Sequence, residues 1–225
     1  MALSSTQIHD LDYAIRNYSF PLDYYDYNLA HTHNPQKASS IRHLEAIIQS
    51  QLKSGVPVDT EQGLGNIIYW GNATAGYRDS RFANFRTRIG AYAPYPGFNG
   101  LIAGSAASLG NIRRLGYPGY SGISFVSKIL MFLDPQNYCV LDLQISKLRR
   151  TGRPIPRALD RLKVYTTRIP ITRNNELVYG LWCDECRSIS QTYYTGRYRV
   201  ADIERGFFEL IKVDMAKALA IYSDF

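Results

Sequence analysis

Between Gly116 and Arg150, three kinds of residue stand close enough together to do chemistry on a polyanion. The first is the run Gly122-Ile123-Ser124, directly before an apolar stretch. Glycine permits left-handed backbone angles, so successive N–H groups at a helix start can converge on one phosphate oxygen. The second is Asp142, a single carboxylate after the apolar Val140-Leu141. Entering a cleft from a dry wall, it could stabilise positive charge or activate a water. The third is a basic run: Lys147, Arg149, Arg150, Arg153, Arg157, Arg161 and Lys163, against Asp160 alone. Its place directly after Asp142 suits a face that contacts phosphates. Each feature also has a plain structural reading. An aspartate before a helix is a common N-cap worth about 1 kcal/mol. Ser124 suits a cap equally, and a basic run can be a solvated helix face.

These residues must be held by helices. Ser39-Ser40 caps a helix through about Lys53, with Ile41, Leu44, Ile47, Ile48 and Leu52 on one face. A second helix contains Leu64, Ile67, Ile68 and Trp70, and a third spans Asp79–Phe85 with Phe82 and Phe85 inward. Further helices are predicted over 105–114, 124–133, 142–150, 176–191 and 201–221, so that Asp142 opens a basic helix. Residues 1–36, rich in Tyr and His with Asn34-Pro35 as a stop, read as irregular. Residues 93–104 hold two Pro and three Gly and read as a loop or hinge. Alternating β-branched residues are scarce, so the fold class is mainly α with little or no sheet.

The chain has 225 residues, 45% of them apolar, enough for one core or two small lobes sharing a cleft. A net charge of +7 favours nucleic acid, anionic lipid or acidic partners. The N-terminal MALSSTQIHDLDYAI is polar and acidic, unlike a signal peptide, and the apolar run Ile123–Leu133 is too short to span a bilayer. Three cysteines cannot pair off as a secreted framework. The expectation is a soluble intracellular protein with no membrane partner.

The succession of hairpin, apolar helix, short apolar run and aspartate resembles the helix-hairpin-helix core of DNA glycosylases. In that family a Leu-x-Gly-Val-Gly hairpin precedes a helix, and a Val-Asp-x-His segment follows. The matching residues here are Tyr120, Gly122-Ile123-Ser124 and Leu141-Asp142-Leu143-Gln144. The likeness is close over roughly residues 110–150 and loose elsewhere. It implies a two-lobed helical bundle forming one unit, with hairpin and catalytic segment within 116–150. It implies a monomer that binds double-stranded DNA, flips a nucleotide and hydrolyses the bond between base and deoxyribose. The transition state of such a step is oxocarbenium-like, and Asp142 is the residue to stabilise it.

Two departures from the family pattern matter. Ser124 stands where a second glycine is usual. Bifunctional members attack the sugar with a lysine in the first turn after the hairpin, and aligning on Gly122 puts Val126 there. Lys128 lies two residues on, about 200° round the helix, at the edge of the apolar face. This register implies a monofunctional enzyme using water, with Lys128 as a surface or phosphate contact. A longer hairpin would instead bring Lys128 into the nucleophile position, to form a Schiff base.

A flipped base needs aromatic faces. Trp70 and Tyr77 lie in IIYWGNATAGYRDSRF among small residues that leave room, with Tyr69 beside them, and Asn72 and Arg78 could bond a base edge or phosphate. Trp70 could equally be core. Some family members carry an iron–sulfur cluster, which needs four cysteines. With Cys139, Cys183 and Cys186 only, no cofactor and no metal is expected. The role implied is base-excision repair or defence against modified foreign DNA, in a nucleoid-associated cytoplasmic or nuclear setting. The rival readings are a non-catalytic DNA-binding protein of the same fold, and a protein whose hairpin is only a helix turn.

Overall fold

A computed structural model describes residues 2–90 and 95–225. Among these, ten α-helices and one two-stranded sheet account for nearly all regular structure. The mainly α class therefore holds. No helix among the described residues is long and apolar enough to cross a membrane.

The N-terminal segment is not irregular. Helix α1 spans Ser5–Arg16, opened by a capping box between Ser4 and Gln7. Its buried Leu11 and Ala14 face α9 (Val200–Val213). Gly206 of α9 makes that approach possible, since a Cβ there would lie 2.6 Å from Ile15 and 2.8 Å from Leu11. Beyond α1 the chain pairs Asp23–Tyr24 (β1) antiparallel with Gln36–Lys37 (β2).

Helices α2 (Ile41–Lys53), α3 (Pro57–Gly71) and α4 (Arg78–Ile89) pack in sequence. Ser40 caps α2, and Pro57 sits at the start of α3, where a missing N–H costs nothing. The expected loop at 93–104 is largely helical, as α5 (Tyr95–Ala103), with residues 93 and 94 outside the described residues. Tyr95 and Phe98 bury on one side, and the helix tolerates Gly97 and Gly100 because tertiary packing overrides propensity. Ser108 delays the next helix to α6 (Leu109–Arg114). A turn then leads to α7 (Ile123–Leu133), nine of whose eleven residues are buried.

After α7 the expected basic helix over 142–150 is absent. One 3-10 turn covers Ile145–Leu148, and the chain is extended at Arg149. Gly152, with φ +77, and Pro154 and Pro156 keep the stretch beyond it non-helical as well. Helix α8 (Arg173–Tyr194) is longer than periodicity alone suggested, because Thr172 caps it earlier. The helix expected over 201–221 is two: α9 ends at Val213, and Asp214 accepts the N–H of Lys217 to start α10 (Met215–Asp224).

The helices gather on two sides. Helices α1, α8 and α10 pack on α9, and α2, α4 and α7 pack on α3. One continuous apolar core runs through both groups, with α7 and the segment 139–141 at its centre.

Candidate functional site

The short segment Cys139-Val140-Leu141 belongs to no strand, so its buried backbone groups need side-chain partners. They find them on two flanking helices. Tyr179 Oη donates to the Cys139 carbonyl (2.9 Å) and Trp182 Nε1 to the Val140 carbonyl (3.2 Å), both from α8. The Leu141 N–H donates to Ser127 Oγ of α7 (3.1 Å). The next residue, Asp142, is thereby aimed from a rigid base. Its Oδ1 accepts the N–H groups of Gln144 (2.9 Å) and Ile145 (3.0 Å). The capping role foreseen for it is real. Its Oδ2 lies 3.7 Å from Lys128 Nζ.

Lys128 is not at a surface edge. It is 5% exposed, donates to the Ser124 carbonyl (3.1 Å) and lies over the Phe125 ring. Gly71, the last residue of α3, makes room for it: a Cβ there would stand 3.1 Å from Lys128 and 2.8 Å from Phe125. Val126 is fully buried in the core.

Asp142 and Lys128 line a cavity of about 420 Å³ between the two helix groups. Trp70, packed in the core, also contributes to its wall. Three other aromatic rings lie there that sequence reasoning missed: Tyr18, Phe20 and Phe208. Phe20 meets Trp70 edge-on (centroids 5.0 Å) and Phe208 likewise (5.7 Å). Trp70 Nε1 donates to the Pro21 carbonyl, which ties this loop down. Tyr18–Pro21 follow α1 in a stretch without helical or alternating pattern, so nothing local marks them. Gln144 and Lys212 complete the polar rim.

Glu204 of α9 is the second missed residue. It lines the cavity, is 3% exposed, and sits next to Arg205 in sequence. Burial, reinforced by the Asp142 charge, pushes its carboxyl up to about 8, against the opposing pull of Arg205 and Lys128. Its signal in the sequence was faint: a glutamate on the apolar stripe Ala201, Ile203, Phe207. Behind it, Arg205 and Arg199 pair with Glu45 and Asp202 in a buried network.

The other base-pocket residues lie elsewhere. Asn72 is buried and donates to the Ile68 carbonyl. It lines a smaller cavity of about 180 Å³ with Arg81, Arg88 and the Pro118-Gly119 turn. Tyr77 is 52% exposed beneath the Arg81 guanidinium. Neither reaches the main cavity.

The hairpin between α6 and α7 differs from the expected phosphate clamp. Gly122 is extended (φ −125°), and the Ile123 N–H donates to the Ile169 carbonyl. One of the N–H groups assigned to a phosphate is thus committed, while Ser124 remains in the first turn of α7. The left-handed glycines are Gly116 and Gly119.

Three residues of the basic run, Arg149, Arg153 and Arg157, make internal contacts, while Arg161 and Lys163 are exposed. Arg153 pairs with Asp160 at 3.2 Å, its side chain 4% exposed, and stacks on Tyr222. Arg149 donates to the Leu162 carbonyl, and Arg157 to the carbonyls of Ser223 and Phe225. Lys147 and Arg150 are exposed, Lys147 holding Gln144 at 2.6 Å. Beyond them Arg157 fastens this non-helical stretch to the last residues of the chain.

Cys139 Sγ and Cys183 Sγ are 3.7 Å apart and buried, and burial keeps the Cys139 thiol protonated. Among the described residues no group of three or more His, Cys, Asp or Glu side chains could hold a metal ion. Comparison with family models, with curated proteins and with solved structures finds no match.

Proposed function

We propose that this chain is a DNA N-glycosylase of the helix-hairpin-helix type, which extrudes a damaged or modified base from double-stranded DNA and hydrolyses its N-glycosidic bond. The observation that carries the reading is the meeting of Asp142 Oδ2 and Lys128 Nζ, 3.7 Å apart, in the wall of an aromatic-sided cavity. That cavity falls within the range typical of small-ligand sites, about 300–1,000 Å³. Its rings offer stacking surfaces for a planar base.

In this reading the base enters the cavity against the wall formed by Trp70, Phe20 and Phe208. The sugar carbon comes to rest near Asp142. Its Oδ1 is occupied by two backbone N–H groups, so the carboxylate is pre-oriented and Oδ2 is presented to the positive charge that grows on the sugar. Water guided by Asp142 then attacks. DNA is gripped by the exposed Lys147 and Arg150, by Ser124, and by Arg81 and Arg88 beside the Pro118-Gly119 turn.

A second reading of the chemical step follows from the burial of Lys128 beside Asp142. There the lysine amine attacks the sugar and Asp142 accepts its proton. One experiment separates these and tests the whole proposal. A panel of duplexes carrying damaged or hypermodified bases is incubated with the chain, and released bases are read by mass spectrometry. The expected result is release by the wild type and loss of it in Asp142→Asn, with affinity for DNA within a few-fold. Loss of the carboxylate charge should remove on the order of 3 kcal/mol or more of transition-state stabilisation. Borohydride that traps no protein–DNA adduct selects water, and an adduct lost in Lys128→Ala selects the amine. Salt-dependent DNA binding without release of any base would make the chain a binding module, and release by Asp142→Asn at the wild-type rate would sink the assignment.

A further inference from the structure

Resting on the glycosylase reading, we propose that Glu204 is the acid that protonates the departing base, so that the site takes bases that are neutral while attached to the sugar. Two carboxyl groups line the cavity, and their surroundings differ. Asp142 is partly open, is tied by two N–H donors and faces the Lys128 ammonium. Glu204 stands on α9, 3% exposed, in the wall beside the aromatic rings that would hold a base. Of the two, Glu204 is the one equipped to hold a proton. Such a division lets one site supply both a negative charge and an acid.

The groups around Glu204 come from every element packed against it. Asp142 and Lys128 face it across the cavity, and Arg205 adjoins it on α9. The Glu204 charge is felt by Tyr18 in the loop after α1 and by Cys139 and Cys186, and the Val140 N–H bonds to it. Both thiols have their protons held on by burial, and the Tyr18 hydroxyl is likewise raised. The acid form of Glu204 persists up to about pH 8.

The step balances. The C1′–N bond breaks and its electron pair goes to the base nitrogen. Glu204 gives its proton to the base, which leaves as the neutral free base. Water forms the new C1′–O bond and loses one proton. That proton returns to Glu204 through solvent, and the sum is base plus hydroxylated sugar. A base already positively charged, such as an N-alkylated purine, leaves neutral without any acid.

Charge on the leaving base therefore gives the test. Duplexes carrying 8-oxoguanine, other neutral damaged bases, or cationic 7-methylguanine are compared with wild-type and Glu204→Gln chains, at saturating enzyme. Glutamine keeps the size and can donate a hydrogen bond but no proton. The expected result is a loss of about 10²-fold or more in release of the neutral base, the usual weight of a general acid. Release of 7-methylguanine should change less than about twofold, since no acid acts on it. The wild-type rate on the neutral base should fall above about pH 8, and that limb should vanish in the variant. Thermal unfolding of both chains shows whether the variant is folded, and the ratio of the two release rates is insensitive to a folded fraction below one. Equal slowing of both bases, no slowing of either, or release by the wild type of cationic bases alone would overturn the role of Glu204 and leave the glycosylase reading standing. A wild type that releases no base overturns that reading, and this one with it.

Discussion

At the scale of single residues, the site depends on small side chains as much as on charged ones. Lys128 reaches Asp142 because Gly71 has no Cβ, and Asp142 is aimed because Ser127 accepts the Leu141 N–H. Gly71→Ala would put a methyl 2.8 Å from Phe125 and 3.1 Å from Lys128. Such contacts lie below ordinary packing distance, so ring and lysine must both move. The expected cost is about 1–3 kcal/mol, as for overpacked sites generally. Urea unfolding measures it, and an unchanged midpoint would show that the wall is looser than the geometry implies. Ser127→Ala acts differently. It removes an acceptor and leaves a buried N–H unpaired, which costs about 1–3 kcal/mol. Conservative Ser127→Thr should restore most of that loss if the hydroxyl is what matters.

At the scale of elements, the helices that flank the cavity are set by particular close approaches. Helix α1 can lie against α9 because of Gly206, where a Cβ would meet Ile15 at 2.6 Å and Leu11 at 2.8 Å. The loop Tyr18–Pro21 hangs from the end of α1 and carries Tyr18 and Phe20 into the cavity. A push on α1 is thus a push on the aromatic wall. Gly206→Ala should destabilise by about 1–3 kcal/mol. It should also alter the fluorescence of Trp70, which packs on Phe20 and is bonded to Pro21. Trp182 is the other tryptophan and lies on α8, so a spectrum recorded on Trp182→Phe isolates the effect. A spectrum identical to that of Trp182→Phe alone would separate α1 from the site.

At the scale of the whole molecule, the charge of +7 is not spread as the sequence order suggests. Arg153 and Asp160 form a buried pair, while Lys147 and Arg150 face water. The two kinds of position should respond oppositely. Arg153→Ala takes the counter-charge from Asp160 but leaves it the N–H groups of Arg150 and Arg157, so the cost should fall at or below the ~3–5 kcal/mol typical of a broken buried pair. Lys147→Ala with Arg150→Ala should leave stability within about 0.5 kcal/mol, the usual range for surface changes. On DNA the double variant should weaken binding alike for all sequences. It should also flatten the slope of log affinity against log salt by about 2, one unit per lost contact. An unchanged slope would move the grip elsewhere, with α4 and its Arg81 and Arg88 the next surface to vary.

Local signals were enough for the helical class, for Asp142 as a cap, and for α2, α3 and α7, because caps and apolar periodicity act within a few residues. They failed at α5, where glycines suggested a loop but burial of Tyr95 and Phe98 favours a helix. They failed again at 142–150, where charge suggested a helix face but the chain makes one 3-10 turn and extends at Arg149. Helix α1 was legible in Ser4–Gln7 and in the spacing of Ile8, Leu11 and Ile15, but its polar composition hid it. Spacing along α7 placed Lys128 at the edge of an apolar stripe, which is correct for an isolated helix. Only tertiary structure decides that Gly71 and Phe125 enclose that edge and that Asp142 stands across from it. Glu204 and the loop Tyr18–Pro21 come from opposite ends of the chain. A cavity wall built from segments so far apart leaves no pattern in any one of them, because what pairs them is packing of α1 on α9 and not the properties of neighbouring residues.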